Sequence, residues 1–174
     1  MTTLGPGVTF ILGGARSGKS AFAEELVISS GLEAVYLATA QSLDGEMEDR
    51  IQRHRDRRGA DWKTVEEPLE LVASLRTQVR PGRAVLVDCL TLWITNLMLA
   101  ERDIAAETQT LIDRLKDISG SVVLVSNEVG LGIVPENAMA RAFRDHAGHL
   151  HQRVASCARN VFFVAAGLPL KMKG

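Results

Sequence analysis

An excess of charge of either sign is the first thing this sequence lacks. Lysine and arginine total 20 and aspartate and glutamate total 21, so the formal net charge is −1 at pH 7. A near-neutral chain has no electrostatic reason to bind the phosphates of nucleic acid or an anionic membrane surface. The sequence also lacks a run of about 18 uncharged apolar residues, which a membrane-spanning helix needs. We therefore expect no nucleic-acid partner and no membrane span.

Cysteine is scarce as well. The two cysteines, Cys89 and Cys157, lie far apart and show neither a C-x-x-C motif nor the spacing of metal ligands. Both have apolar neighbours, so we expect buried free thiols. Residues 1–7 contain no basic segment and no long apolar stretch, and we expect no signal peptide. A cytoplasmic enzyme is the natural interpretation.

What is present is an alternation of strand-like and helix-like segments. The 174 residues suit one domain spanning 1–174. Apolar strands alternating with helical patterns predict an α/β fold of the P-loop NTPase type, with a mostly parallel sheet and helices on both faces. The predicted strands are 8–12, 34–38, 84–88, 121–126 and 161–165, with possible short strands at 62–65 and 168–172. The predicted helices are 19–29, 44–58, 68–76, about 90–101, 105–118 and 138–159.

The strongest motif is Gly-Gly-Ala-Arg-Ser-Gly-Lys-Ser at residues 13–20. It matches G-x-x-x-x-G-K-[ST] between an apolar strand and a helix, which is the context that this phosphate-binding loop requires. We expect Gly13 and Gly18 to adopt positive φ and to let the backbone approach an anion. Backbone amides and the helix N-terminus would then face phosphate oxygens. Lys19 would reach the β- and γ-phosphates of a nucleoside triphosphate, and the Ser20 hydroxyl would bind Mg²⁺.

Other candidates follow predicted strands, at the edge where parallel α/β sheets bind ligands. Asp88 ends an apolar strand and could hold Mg²⁺ directly or through water. It could also cap the helix that follows, and the two roles are compatible. Asn127 and Glu128 end another strand and lead into a glycine-rich loop at 129–135. This loop is long for a simple connection, and the choice between a structural turn and a substrate-binding role stays open.

The predicted helix 44–58 places one histidine, His54, among five arginines. A charge run is usually a solvated helix face. Neighbouring cations, however, disfavour protonation of an imidazole. A neutral imidazole is a competent nucleophile toward phosphorus, and the arginines could hold the phosphates that it attacks. His146, His149 and His151 lie in the predicted helix 138–159, where helix-surface roles are expected.

Four stretches carry a resemblance to a known family. They are residues 13–20, Tyr-Leu-Ala-Thr-Ala-Gln at 36–41, Asp-Gly-Glu-Met-Glu-Asp-Arg-Ile-Gln-Arg-His-Arg at 44–55, and Ser-Asn-Glu-Val-Gly-Leu-Gly-Ile-Val-Pro-Glu-Asn at 126–137. The chain resembles the bifunctional adenosylcobinamide kinase/adenosylcobinamide-phosphate guanylyltransferase family of cobalamin biosynthesis. The likeness spans nearly the whole chain.

The resemblance implies two reactions and a set of site residues. ATP or GTP would phosphorylate the hydroxyl of the aminopropanol arm of the corrinoid adenosylcobinamide. GTP would then guanylylate that phosphate through a guanylylated histidine, which falls here on His54, and give adenosylcobinamide-GDP. Lys19 is the second catalytic candidate, with Ser20 and Asp88 for Mg²⁺. The implied nucleotide contacts are Gly13, Gly14, Ala15, Arg16, Ser17, Gly18, Lys19, Ser20, Ala38, Thr39, Ala40, Arg55, Asp56, Arg57, Arg58, Glu66 and Asp88. The resemblance also implies a homotrimer.

The chain departs from the family pattern at two positions. Some members have a histidine pair where this chain has Arg53 and His54, which leaves one candidate nucleophile. Many members have asparagine where this chain has His151.

Two other functions compete with the one implied. A simple small-molecule kinase would not need His54, and a regulatory GTPase would carry an Asn-Lys-x-Asp box where this chain has Asn127-Glu128-Val129-Gly130.

Overall fold

A computed structural model describes residues 4–41 and 62–174. The predicted helix 44–58 lies outside the described residues, and so do His54 and the arginines around it. The described strands are β1 (Gly7–Gly13), β2 (Glu33–Ala38), β3 (Trp62–Glu66), β4 (Arg83–Asp88), β5 (Ser121–Asn127), β6 (Asn160–Ala165) and β7 (Leu168–Lys173). The described helices are α1 (Lys19–Ser29), α2 (Leu71–Gln78), α3 (Leu90–Leu99), α4 (Ile104–Lys116) and α5 (Ala138–Cys157).

The seven strands form one sheet in the order β3-β2-β4-β5-β1-β6-β7. The first six are parallel to their neighbours, and β7 runs antiparallel to β6. β5 is buried almost throughout, which explains its β-branched sequence Ser-Val-Val-Leu-Val-Ser-Asn. The predicted mostly parallel sheet is confirmed, and so are both short strands at 62–65 and 168–172.

Alternate residues of the central strands point into two separate cores. On one face, Val8, Phe10 and Leu12 pack with apolar residues of α2, α3, α4 and α5. On the other face, Ile11 packs with Ala23, Leu26 and Val27 of α1. The described helices thus cover both faces, four on one and α1 on the other.

Some details differ from the sequence prediction. The helix expected to begin at Pro68 begins at Leu71. The residues before it are held by side chains instead: Asn96 Nδ2 donates to the Pro68 carbonyl at 3.0 Å, and Glu67 Oε1 accepts from the amides of Leu69 and Glu70 at 3.0 and 2.9 Å. One tertiary hydrogen bond and two local ones here replace the first helical turn.

The cysteines are both free, as expected, but only one of them is buried. Cys89 is buried and Cys157 is half-buried. Burial, helped by the Asp88 charge, raises the pKa of the Cys89 thiol to about 11. The thiol is therefore protonated at neutral pH and is no nucleophile. Among the described residues, no helix is both long enough and apolar enough to cross a membrane.

Candidate active site at the carboxyl edge of the sheet

The phosphate loop joins β1 to α1 at the carboxyl edge of the sheet. Gly18 stands before α1 with φ 96°, and no side chain caps the first-turn amides of this helix. The first turn also contains no acidic residue. The N-terminal amides and the positive end of the helix dipole therefore meet no competing negative side chain of their own helix. This is the arrangement of an anion-binding helix N-terminus.

The two glycines of the motif are needed for different reasons. The expectation of positive φ is correct for Gly18 and wrong for Gly13, which is absent from the left-handed residues of the described backbone. A Cβ at Gly13 would lie 2.5 Å from Ser17 Oγ and 2.6 Å from the Val164 carbonyl oxygen. Close packing of the loop against β6 therefore requires glycine at this position. Arg16 adopts the left-handed conformation instead, with φ 56°.

Internal bonds hold the loop in its curved form. The Ser17 amide donates to the Gly14 carbonyl at 3.2 Å, and the Gly167 amide of the β6–β7 turn donates to the Ser17 carbonyl at 2.8 Å. Lys19 Nζ lies 3.4 Å from the Gly14 carbonyl oxygen, a long hydrogen bond. The ammonium group thus points back across the loop, where an anion bound to the amides would lie.

Asp88 faces this loop from the end of β4. Its Oδ2 accepts a hydrogen bond from Ser20 Oγ at 3.1 Å and another from the Tyr36 hydroxyl at 3.0 Å. The alternative role as a helix cap is not what the structure shows, because Cys89 occupies the N-cap of α3. Ser20 and Asp88, predicted as a pair, are in contact although 68 positions separate them in the sequence.

The residue types of this pair fit Mg²⁺. Mg²⁺ prefers oxygen ligands and is usually bound by one or two protein groups together with waters and substrate phosphates. A hydroxyl and a carboxylate beside a phosphate loop meet that requirement. No group of three or more His, Cys, Asp or Glu side chains suited to a metal occurs in the described part of the chain. A dedicated all-protein metal cage is therefore not seen there.

Ala38 and Thr39 extend the site along the edge from β2. Thr39 is fully buried, and its hydroxyl donates to the Cys89 carbonyl at 2.7 Å and accepts from the Cys89 amide at 2.9 Å. Its own carbonyl accepts from Asn96 Nδ2 at 2.7 Å. Thr39 therefore ties β2 to the start of α3 behind Asp88. Its predicted nucleotide contact stays a prediction.

Glu66 lies farther along the same edge. It ends β3 and pairs in register with Ala38, which in turn pairs with Asp88. Two strand spacings therefore separate Glu66 from Asp88, roughly 10 Å. The structure brings the loop, Asp88, residues 38–40 and Glu66 to one edge. Arg55, Asp56, Arg57 and Arg58 lie outside the described residues.

The clearest error of the sequence interpretation concerns the location of His151. It was expected on the surface of its helix, yet it is 7% exposed, and its Nε2 lies 2.7 Å from Ser126 Oγ. Burial lowers the pKa of the imidazole to about 4, against an opposing effect of the Glu128 charge. A signal was available: Ala147, Leu150, His151 and Val154 follow the i, i+3, i+4, i+7 spacing of a buried helix face.

Tyr36, which donates a hydrogen bond to Asp88, is a residue of the candidate site that the sequence interpretation missed. It is the only tyrosine of the chain and lies within the predicted strand 34–38. A buried tyrosine needs a partner for its hydroxyl, and a strand that ends at the ligand-binding edge offers one. That combination could have drawn attention to it.

The structure resembles solved P-loop proteins in fold. It superposes on the flagellar accessory protein FlaH from Methanocaldococcus jannaschii with a TM-score of 0.54 and 11% identity, covering 98% of this chain and 80% of that one. An ATPase domain of known structure gives a TM-score of 0.51 and 15% identity, covering 91% of this chain and 69% of that one. At such low identities these likenesses show the fold alone.

Sequence comparison is more specific. The bifunctional adenosylcobalamin biosynthesis protein CobP of Pseudomonas aeruginosa is 52% identical over 166 residues, which cover 94% of this chain and 96% of the relative. The corresponding CobU proteins of Salmonella typhimurium and Escherichia coli are 43% and 41% identical over 178 residues, covering 94% of this chain and 98% of each relative. The family model described as cobinamide kinase / cobinamide phosphate guanyltransferase matches residues 9–172. This chain belongs to the CobU family.

Proposed function

We propose that this protein catalyses two successive reactions on cobinamide. In the first, the cobinamide hydroxyl attacks the γ-phosphorus of ATP or GTP, forming cobinamide phosphate and releasing a nucleoside diphosphate. In the second, GMP is transferred from GTP to that phosphate, giving a cobinamide-GDP product and pyrophosphate. The observation that carries the proposal is the contact of Ser20 with Asp88 beside the phosphate loop of a CobU-family chain.

The described residues support the phosphoryl-transfer chemistry directly. The helix N-terminus after Gly18 offers amides to the triphosphate, and Lys19 adds a cation that can reach the β- and γ-phosphates. Ser20 and Asp88 would hold Mg²⁺, which neutralises charge on the phosphates when it is bound. Tyr36 fixes the Asp88 carboxylate by donating a hydrogen bond to Oδ2.

We infer that the guanylyl transfer passes through His54. A ring nitrogen of this histidine would attack the α-phosphorus of GTP and displace pyrophosphate, leaving GMP bound to the ring. An oxygen of cobinamide phosphate would then attack the same phosphorus and release the histidine. Support comes from the sequence: His54 is the only histidine in an arginine-rich segment, and neighbouring cations keep an imidazole neutral and nucleophilic.

The experiment uses GTP labelled at either end. With cobinamide present, γ-labelled GTP should label cobinamide phosphate, and α-labelled GTP should label the final product. Without cobinamide, α-labelled GTP should leave an acid-labile label on the denatured protein, located by mass spectrometry at His54. A protein that phosphorylates cobinamide but never retains the α-label would be a plain kinase, and the covalent step would be wrong.

The proposal also covers the cellular location and the oligomeric state of the enzyme. Both reactions consume nucleoside triphosphates, which supports a cytoplasmic location. The family resemblance also implies a homotrimer, and light scattering of the purified chain measures that directly.

A further inference from the structure

The loop between β5 and α5 exposes an unusual amount of apolar surface. Residues 129–135 read Val-Gly-Leu-Gly-Ile-Val-Pro, seven positions without a polar side chain. Leu131, Ile133 and Val134 are 83%, 96% and 60% exposed, and Met139 at the start of α5 is 64% exposed. Connecting loops on protein surfaces are ordinarily polar. We call Leu131, Ile133, Val134 and Met139 the apolar loop surface.

This surface is held beside the phosphate loop. At its start, the Glu128 amide donates to the Gly13 carbonyl at 3.0 Å, and the Glu128 carboxylate accepts from the Gly130 amide. β5 pairs with β1 in such a register that Asn127 stands opposite Gly13. The loop therefore leaves the sheet directly next to the residues that would bind the triphosphate.

The far end of the loop is fixed as well. Arg141 donates to the carbonyls of Pro135 and Glu136 at 2.9 and 2.6 Å. Asn137 caps α5 by accepting from the amides of Met139 and Ala140 at 2.8 and 3.2 Å. Hydrogen bonds at both ends restrain the loop backbone before any ligand binds, which lowers the entropic cost of ordering the loop on binding.

We propose that the apolar loop surface binds the corrin ring of cobinamide. This inference rests on the proposed function, because that function places the acceptor hydroxyl at the phosphate loop. The ring is far larger than its reactive arm, so it must lie outside the nucleotide site but within reach of it. Its rim carries methyl and methylene groups beside its amide side chains, and these hydrocarbon parts gain from contact with apolar side chains. The apolar loop surface lies next to the nucleotide site and is made of apolar side chains, so it meets both requirements.

The other exposed apolar cluster of the described chain fits less well. Leu168, Leu170 and Met172 of β7 are 73%, 66% and 61% exposed. However, β7 is antiparallel to β6 and therefore runs away from the carboxyl edge after its turn. Lys171 and Lys173 interrupt its sequence. A ring bound along β7 would extend away from the triphosphate.

Direct binding tests the inference without depending on turnover. Cobinamide is itself the probe, and its visible absorption reports the bound fraction in equilibrium dialysis. The test variants are Ile133→Ser and Leu131→Ser. The matched controls are Ile28→Ser in the last turn of α1 and Leu99→Ser at the end of α3, where the native side chains are 51% and 59% exposed. Both control positions lie about 14 Å along their helices from the carboxyl edge.

Each test variant should weaken cobinamide binding about tenfold, because an apolar side chain then no longer loses its water on binding. GTP affinity should be unchanged in all four variants, and cobinamide affinity should be unchanged in the two controls. Since Ile133 is almost fully exposed, the substitution should leave the fold intact, and an unaltered thermal unfolding curve checks this.

Three results would overturn the inference. Wild-type affinity for cobinamide in both test variants would show that the ring lies elsewhere. A smaller assembly by light scattering in the test variants alone would show that a second copy of the chain covers the surface. If the wild-type protein neither bound nor phosphorylated cobinamide, the proposed function itself would be refuted. In the first two cases, normal phosphorylation by the wild-type protein leaves the proposed function standing.

Discussion

Replacing His151 with asparagine should change how the stability of the protein depends on pH. His151 is buried against Ser126 and Phe10, and burial lowers the pKa of its imidazole from 6.5 to about 4. The unfolded chain has no such burial and keeps the ordinary value. Between pH 6.5 and 4 the unfolded state therefore binds more protons than the folded state, and stability falls as the pH is lowered.

The size of the effect follows from the difference between the two pKa values. Each pKa unit corresponds to about 1.36 kcal/mol, so His151 should lower the free energy of unfolding by about 2 kcal/mol between pH 7 and 5. By pH 4 the loss should reach about 3 kcal/mol. Well above pH 6.5, from about pH 7.5, the imidazole is neutral in both states and contributes almost no slope.

Urea unfolding of the wild type and of His151→Asn at pH 7, 5 and 4 measures this. Asparagine can still bond Ser126 but does not titrate, so the variant should lose less stability than the wild type by the amounts above. Comparing the two proteins cancels the contribution of the carboxylates, which also titrate in this range. His149→Asn, on an exposed position of the same helix, is the matched control and should behave as wild type. Parallel pH profiles for wild type and His151→Asn would refute the reasoning.

Three substitutions at proposed catalytic and metal-binding residues complete the set. Lys19→Ala should weaken triphosphate binding and lower both activities about 100- to 1,000-fold, since a lost charge-assisted contact is worth about 2.7–4 kcal/mol of transition-state stabilisation. Near-normal guanylylation with α-labelled GTP would show that the loop is not the site. Asp88→Asn should leave the protein folded and shift the Mg²⁺ titration of turnover to higher concentration, and an unshifted titration would exclude the metal role. His54→Ala should end labelling by α-labelled GTP, whereas alanine at His146 or His149 should not. Normal labelling of the His54 variant would leave the plain kinase as the better interpretation.

The sequence was sufficient for the features that depend on local pattern. Apolar runs located the central strands, and the phosphate-loop motif fixed the junction of β1 with α1. Because parallel strands direct their carboxyl ends to one edge, the order of motifs along the chain also predicted that Asp88 and Ser20 would lie near each other. Their 3.1 Å contact follows from topology rather than from sequence proximity.

The features that could not be predicted depend on contacts between distant segments. Gly13 looks like a glycine needed for its φ angle, but the Val164 carbonyl of β6 leaves no room for a side chain. Asp88 was paired with Ser20 from the sequence, but the hydrogen bond that its carboxylate accepts from the Tyr36 hydroxyl was not foreseen. Pro68 looks like the first residue of a helix, but Asn96 from α3 bonds its carbonyl. In each case the competing partner comes from another element.

The presence of a single phosphate-loop motif bears on how two reactions share this chain. G-x-x-x-x-G-K-[ST] occurs once in the sequence, at residues 13–20. We therefore infer that the triphosphate used for phosphorylation and the GTP used for guanylylation occupy the same loop in turn. The diphosphate left by the first reaction must then leave before GTP can bind. The corrinoid has no such need to leave, because its phosphate is the acceptor of the next step. A corrin ring held on the neighbouring apolar loop surface while nucleotides exchange beside it would serve this order of events. It would also explain why that surface is anchored at both ends, at Gly13 and at Arg141.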